Sequence, residues 1–368
     1  MSPSGDVLDS LRPYMTNPVP PLEVPYAAGV VGDHPSAYSA SPAIWNAAFA
    51  ALDLPATFVP FDVPPERLQA FLAAGRAAPG LLGLTVTVPY KERVLLFLDR
   101  IPAEVAAIGA VNVIARALRG GWEGFNTDGE GALSALRSLI SGQTGGAHRT
   151  FLLLGAGGAA KAVGVALGRA FPEAALALSN RSRERGEATA QTIRAARARA
   201  GEPGGPVMVS APGEWERVLP RVDVIVNTTS VGMKGPIRTD RGVTWLEPFS
   251  PLAPADPPSV PAAPADGTTP REWWERAWPA IAANLEGSLQ RALRLPAEAV
   301  VLDLVYAPAE TVLLKHARWT GHGGANGLEV LVGQAVAAFA RICGPLLDGL
   351  ERDGLPERVA KAMRAALR

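Results

Sequence analysis

Four apolar residues, Phe151-Leu-Leu-Leu154, run directly into Gly155-Ala-Gly-Gly-Ala-Ala160, and then into Lys161 and a helix-forming stretch. A strand that turns through glycines into a helix has few folds open to it. Glycine allows the tight turn and lets a charged group approach the backbone. The free N–H groups and the positive dipole end of the helix then face that charge. The pattern predicts a βαβ unit that seats a pyrophosphate at Gly155, Gly157, Gly158 and Ala159. The alternative is a tight βα turn with no ligand; the strand before and the helix after favour the nucleotide reading.

The next predicted strand, residues 175–179, ends in Asn180-Arg181-Ser182-Arg183-Glu184-Arg185. A dinucleotide with a free ribose 2′-hydroxyl is held by an acidic residue at the strand tip, and none stands there. Guanidinium groups match a 2′-phosphate in shape and charge. The cofactor expected is therefore NADP, with Arg181 and Arg185 on the phosphate and Asn180 and Ser182 beside them. A solvated basic loop is the alternative.

Further apolar runs at residues 222–227 and 300–305 suit strands buried on both faces. Upstream, strands at 26–31, 57–61 and 83–88 alternate with helices at 42–52 and 65–74, the first with Ser41 as N-cap and Pro42 at its first position. Strand–helix alternation predicts a mostly parallel sheet. The fold class expected is α/β with two domains, an N-terminal α/β substrate domain and a Rossmann-like NADP-binding domain. The expected division is a loose proline-rich arm at 1–25, a substrate domain at 26–141 plus 333–368, and an NADP domain at 142–332. A glycine-rich linker at 142–146 would separate them, and helices are expected at 133–140, 328–343 and 356–367. The alternation fails between about 236 and 295. There a proline-rich stretch at 251–270 reads as an extended or mobile surface loop. Residues 271–293 read as one or two helices, with Trp273, Trp274 and Trp278 at helical spacing.

Charge narrows the partners. Lysine plus arginine and aspartate plus glutamate each number 35, so no basic face for a nucleic acid is expected. Cys343 is the one cysteine, which excludes an intrachain disulfide and fits a reducing cytoplasm. The chain opens without a basic segment and apolar run, so no signal peptide is expected, and no run of about 20 apolar residues predicts a membrane span. The four histidines are scattered, and no metal is expected. The partner expected is a small molecule, on a monomer or homodimer.

Three clusters in the first half resemble the shikimate dehydrogenase family: Ser39-Ala-Ser41-Pro42-Ala-Ile-Trp45-Asn46, Gly83-Leu-Thr85-Val-Thr87-Val-Pro89-Tyr-Lys91-Glu92, and Ile108-Gly-Ala-Val-Asn112 through to Gly124-Phe-Asn126-Thr127-Asp128-Gly129. Asn227-Thr-Thr-Ser-Val-Gly-Met233, Asp303-Leu-Val-Tyr306 and Gly327-Leu-Glu-Val-Leu-Val-Gly-Gln334 continue the resemblance in the same order. It implies reversible oxidation of shikimate to 3-dehydroshikimate, within aromatic amino acid biosynthesis, with Lys91 and Asp128 as the catalytic pair. Chemistry supports such a pair, because a carbonyl oxygen receiving a hydride develops negative charge and needs a cation and proton donor beside it. The resemblance implies Ser39 and Ser41 for the substrate carboxylate, and Thr87, Asn112 and Gln334 for ring hydroxyls. It makes Tyr306 a wall shared by substrate and nicotinamide, and sets Asn227, Thr228, Met233 and Gly327 around the cofactor. A surface ion pair, an N-cap at Ser41, buried amides satisfied by backbone and a packed tyrosine are the corresponding structural alternatives.

The chain departs from the family pattern at several points. Thr85 stands where asparagine is usual, Trp45 where histidine is common and Glu329 where glycine is usual. The serine loop is one residue longer at 34–37, and the span from Met233 to Asp303 is much longer. Two other activities stay open: a quinate/shikimate or amino-shikimate dehydrogenase, and a non-catalytic NADP-binding regulatory protein. The second has no need of Lys91 and Asp128, and both are present.

Overall fold

The computed structural model describes residues 7–117, 120–141, 149–199, 201, 204–210, 214–239, 241–264, 268–347, 351 and 353–367. The glycine-rich linker expected at 142–146 lies outside them. The chain folds as two compact units, Met1–Gly131 with Leu331–Arg368, and Ala132–Val330.

The first unit opens with β1 (Tyr26–Gly32), α1 (Ser41–Ala51), β2 (Ala56–Asp62), α2 (Leu68–Ala77) and β3 (Leu81–Val86). It continues through α3 (Ala103–Ile108), β4 (Val113–Arg116), β5 (Trp122–Phe125) and the start of α4 (Asp128–Ile140). The sheet order is β2-β1-β3-β4-β5. The first three strands pair in parallel, and β4 and β5 join antiparallel. Antiparallel neighbours need only a short connection, so β3, β4 and β5 deliver their ends close together. One sheet face buries Val31, Phe61, Phe71, Leu84 and Trp122; the other buries Val30, Ile44, Trp45, Phe58 and Val113.

Two expectations fail here. The arm is not loose over its described part. Leu8 and Leu11 are fully buried, and Met15 and Val19 nearly so, against the Phe61–Phe71 face. These apolar residues are too sparse among prolines to show a period, and their burial comes from docking on the sheet rather than from local structure. Nor is Ser41 an N-cap. Helix α1 begins at Ser41, with Ala40 before it and no side-chain cap. Ser39 Oγ accepts from Ser41 N–H at 3.2 Å instead.

The second unit carries β6 (Thr150–Leu154), α5 (Gly158–Ala170), β7 (Ala175–Ser179), α6 (Arg183–Arg199), β8 (Val207–Ser210) and β9 (Val224–Asn227). After β10 (Pro236–Thr239), β11 (Gly242–Trp245) and α7 (Arg271–Ala292) come β12 (Val300–Asp303), α8 (Val312–Trp319) and β13 (Gly323–Ala325). The six-stranded sheet runs β13-β12-β9-β6-β7-β8, parallel throughout. Counted within the unit this is the order 3-2-1-4-5-6 of a doubly wound dinucleotide fold, with the strand order reversing between β6 and β9. The α/β class with a Rossmann-like unit is as expected. Then α9 (Gly327–Ile342) and α10 (Leu355–Ala365) follow. Val332, Phe339 and Ile342 of α9 and Met363 of α10 join the first unit's core around Trp45 and Phe49.

The long insert is more ordered than its composition suggests. Strands β10 and β11 form an antiparallel hairpin, and Trp245, Phe249, Val260, Trp273 and Ile281 make a core of their own. Over its described part the proline-rich stretch, expected to be an extended or mobile surface loop, is packed down. Leu252, Ala253 and Val260 are buried. Prolines have no N–H to satisfy, so only their carbonyls need partners. Asn284 Nδ2 donates to the carbonyls of Ser250, Ala253 and Pro254, while Thr244 Oγ1 and Trp273 Nε1 both reach Pro258 O.

Candidate active site

Lys91 follows β3 in the chain, and backbone bonds tie its surroundings to β4, β5 and α4. Val86 N–H donates to Asn112 O, Val111 N–H to Lys91 O, and Asn112 N–H to Phe125 O. Asn126 Nδ2 donates to Ala110 O, and its Oδ1 accepts from the Asp128 N–H that opens α4. The Asp128 carboxylate thus sits at a helix N-terminus, where the macrodipole favours negative charge.

The side chains converge there. Lys91 Nζ donates to Asp128 Oδ2 at 2.8 Å, and Asn112 Nδ2 donates to Asp128 Oδ1 at 2.8 Å. The two hydrogens of Asn112 Nδ2 are shared among Asp128, Thr127 Oγ1 at 3.1 Å and Gln334 Oε1 at 3.2 Å. Asn112 Oδ1 accepts from Thr127 N–H at 2.8 Å. Asp128 and Asn112 are buried and Thr127 fully so, whereas the Lys91 side chain keeps 33% of its surface exposed. An ammonium carries three donors, so Lys91 holds two more for a substrate oxygen. Four of the residues singled out from the sequence (Lys91, Asn112, Asp128 and Gln334) therefore meet in one network. Thr127 and Asn126 hold that network in place. Both lie within the Gly124–Gly129 cluster, but nothing in their residue types points to the anchoring role.

The other substrate-side residues are placed but make no bond to this network. Thr87 follows β3, with its N–H bonded to Val31 O and its hydroxyl unpartnered among the described residues. Ser39 and Ser41 stand half-buried at the start of α1, and the Ser41 hydroxyl has no partner among the described residues. Thr85 Oγ1 is buried and makes no hydrogen bond among the described residues. Trp45 is turned into the core, stacked on Phe58 at 4.7 Å.

In the second unit the two loop glycines differ. Gly155 has φ +110°, and a Cβ there would lie 2.6 Å from Thr228 Oγ1. It is therefore required by the fold where β6 and β9 diverge. Gly157 has φ −87°, and a Cβ there would meet nothing within 4 Å. Nothing among the described residues explains the missing side chain, and open space above a helix start fits a pyrophosphate. Gly158 and Ala159 continue as the first turn of α5.

Beyond β7, Asn180 Nδ2 donates to Ser182 O, and Ser182 Oγ accepts from Arg185 N–H, fixing the turn into α6. Arg181 and Arg185 are exposed and pair with no carboxylate among the described residues, as a 2′-phosphate would require. The residues after β9 are held internally. Thr228 Oγ1 donates to Leu154 O at 2.8 Å. Asn227 Nδ2 donates to Asp303 Oδ1 at 2.8 Å, and Asp303 also accepts from Val305 N–H and the Thr311 hydroxyl. Burial pushes the Asp303 carboxyl up to about 6 against the downward pull of those three bonds. Gly327 is required by packing, since a Cβ there would fall 2.1 Å from Leu304 O. Met233 is 39% exposed, and Tyr306 is 37% exposed with its hydroxyl pKa raised by burial.

A doubly wound unit with an open glycine loop and exposed arginines past its second strand, next in sequence to a unit holding an oriented lysine–carboxylate pair, defines a two-domain dinucleotide-dependent dehydrogenase. Residues 30–114 match the family described as the shikimate dehydrogenase substrate binding domain. A shikimate dehydrogenase (NADP(+)) from Citrifermentans bemidjiense is 36% identical over 313 residues, covering 85% of this chain and 88% of the relative. One from Symbiobacterium thermophilum is 37% identical over 316 residues, covering 84% and 86%. The structure of a Thermus thermophilus shikimate 5-dehydrogenase in complex with NADP(H) and shikimate superposes with a TM-score of 0.60 at 27% identity, covering 93% of this chain and 99% of that one. This chain belongs to the shikimate dehydrogenase family.

Proposed function

We propose that this protein is an NADP-dependent shikimate dehydrogenase that reversibly reduces 3-dehydroshikimate to shikimate. The observation that carries the reading is the Lys91–Asp128 pair, fixed at 2.8 Å and braced by Asn112. NADPH supplies the hydride when bound. Lys91 donates a proton to the carbonyl oxygen as negative charge grows there, and stabilises that charge before the transfer. Asp128 aims the ammonium and accepts a hydrogen bond from a neighbouring ring hydroxyl. Asn112, Gln334 and Thr87 read the ring hydroxyls, since buried polar groups left unpaired would penalise an analogue lacking them. Ser39 and Ser41 donate to the ring carboxylate, and Tyr306 walls the ring.

On the cofactor, Gly155, Gly157, Gly158 and Ala159 receive the pyrophosphate. Asn180, Arg181, Ser182 and Arg185 hold the 2′-phosphate, and Thr228, Met233 and Gly327 line the nicotinamide half. The test is turnover of shikimate, quinate and amino-shikimate side by side, each with NADP+ and with NAD+. Shikimate with NADP+ is expected to give the highest kcat/KM. Faster turnover of quinate or amino-shikimate would overturn the substrate, and NADPH binding without any turnover would favour the regulatory reading.

A further inference from the structure

Ser36 and Asp62 have no part in the network around Lys91, yet they are joined to the serine loop. Asp62 ends β2 and is 4% exposed. Its Oδ1 accepts from Ser36 N–H at 2.9 Å, and its Oδ2 accepts a short bond from the Ser36 hydroxyl. Burying a carboxylate is costly unless donors meet it, and here both donors come from one loop residue. The main chain of Asp62 is gripped from the other side. Its N–H donates to Asn17 Oδ1 at 2.8 Å, and its carbonyl accepts from Thr16 N–H at 2.9 Å and Thr16 Oγ1 at 3.2 Å. Asn17 Nδ2 also reaches Pro60 O at 3.0 Å.

Ser36 lies in the Pro35–Ala37 turn. From that turn, Ser39 N–H donates to Pro35 O at 2.9 Å, and Ser39 Oγ accepts from Ser41 N–H. Hydrogen bonds joined by short lengths of main chain thus lead from the N-terminal arm through Asp62 and Ser36, and by the peptide link to Pro35, to the two serines. Ordering a loop costs backbone entropy, and a loop ordered before binding does not incur that cost when the ligand arrives.

We propose that Asp62 is a positioning residue. Through Ser36 it fixes loop 33–40 so that the Ser39 and Ser41 hydroxyls stand ready for a carboxylate-bearing substrate. The identity of that substrate rests on the proposed function. The fixing of the loop does not.

Two readouts on the full chain test this. Ser36→Ala removes one donor, and Asp62→Ala removes both acceptors. Asp62→Asn keeps an oxygen for Ser36 N–H and offers its amide to Ser36 Oγ, so it should rescue. Amide exchange in peptides covering 33–41 is expected to quicken about ten-fold in the two alanine variants, with β4 and β5 unchanged and Asp62→Asn near the parent. KM for shikimate should rise about ten-fold in the same variants, while kcat and KM for NADP+ move less than about two-fold. Unchanged exchange in Ser36→Ala, or a loss spread equally over kcat and both KM values, overturns the proposal. If the parent turns over no shikimate, the proposed function fails while exchange still decides the clamp. If Asp62→Ala does not fold, Ser36→Ala carries the test, because Ser36 is exposed and keeps its main chain.

Discussion

Replacing Asp128 with asparagine separates chemistry from architecture. The carboxylate accepts from Lys91 Nζ on one oxygen and from Asn112 Nδ2 on the other, each at 2.8 Å. A carboxamide has one oxygen, so one of those donors must face an NH2 group. Asn112 is buried and held by Thr127 and Gln334, whereas Lys91 is 33% exposed and can turn to water. The variant is therefore expected to keep its oxygen on Asn112 and release the lysine. An ion pair with one partner this exposed contributes only about 1 kcal/mol to stability. For a domain of this size that is roughly 2–4 °C in Tm. Losing an oriented proton donor costs roughly a thousand-fold in kcat, within the usual range for general acid–base groups, or about 4 kcal/mol of barrier. Shikimate-dependent NADPH formation, followed by absorbance beside a thermal melt, measures both. A kcat within ten-fold of the parent together with a large fall in Tm would show the pair to be a structural salt bridge and refute the mechanism.

Four further expectations can be measured. Gly155→Ala should lower stability by about 1–3 kcal/mol, because its positive φ and the nearby Thr228 leave no place for a methyl group. Gly157→Ala should leave Tm unchanged within error and weaken NADPH binding, which titration of cofactor fluorescence would report. Arg181→Ala and Arg185→Ala should each raise KM for NADP+ roughly ten- to hundred-fold and leave KM for NAD+ unmoved, as loss of a charge-assisted bond to a 2′-phosphate requires. Asp303, held at about 6 by burial, keeps its proton in the folded state over a range where the unfolded chain has released it. Its contribution to stability is thus full below about pH 4 and lost as pH rises to about 6, by roughly 2–3 kcal/mol. Melts of Asp303→Asn against the parent across that window should show the parent losing ground as pH rises, and a flat difference would contradict it.

The sequence revealed this fold most clearly where physics is local. Strands such as β1, β6 and β9 announce themselves as apolar runs closed by glycine or asparagine. The glycine loop shows itself through its neighbours. The strands β4 and β5, four residues each, are too short to display a period and exist because β3 offers an edge. A serine before proline looks the same whether its own hydroxyl or that of Ser39 is used, so the sequence does not tell a Ser41 cap from the Ser39 bond that forms. In the site, Lys91, Asp128, Asn112 and Gln334 stood out by chemistry and motif. Asp62 and Ser36 did not, since a strand-end aspartate and a loop serine become partners only through tertiary packing.

The insert shows how an added segment can avoid exposing a new sheet edge. Val260 exchanges both backbone bonds with Val243 on the outer side of β11, at 2.8 and 2.9 Å, and the pairing goes no further. Pro261 follows immediately and Pro257 and Pro258 come just before, so the third row has scarcely any outward N–H left to offer. Within that row the carbonyl of Pro258 is already taken by Thr244 Oγ1 and Trp273 Nε1. The prolines thus act as a terminus for strand addition, so the segment does not become a template for aggregation.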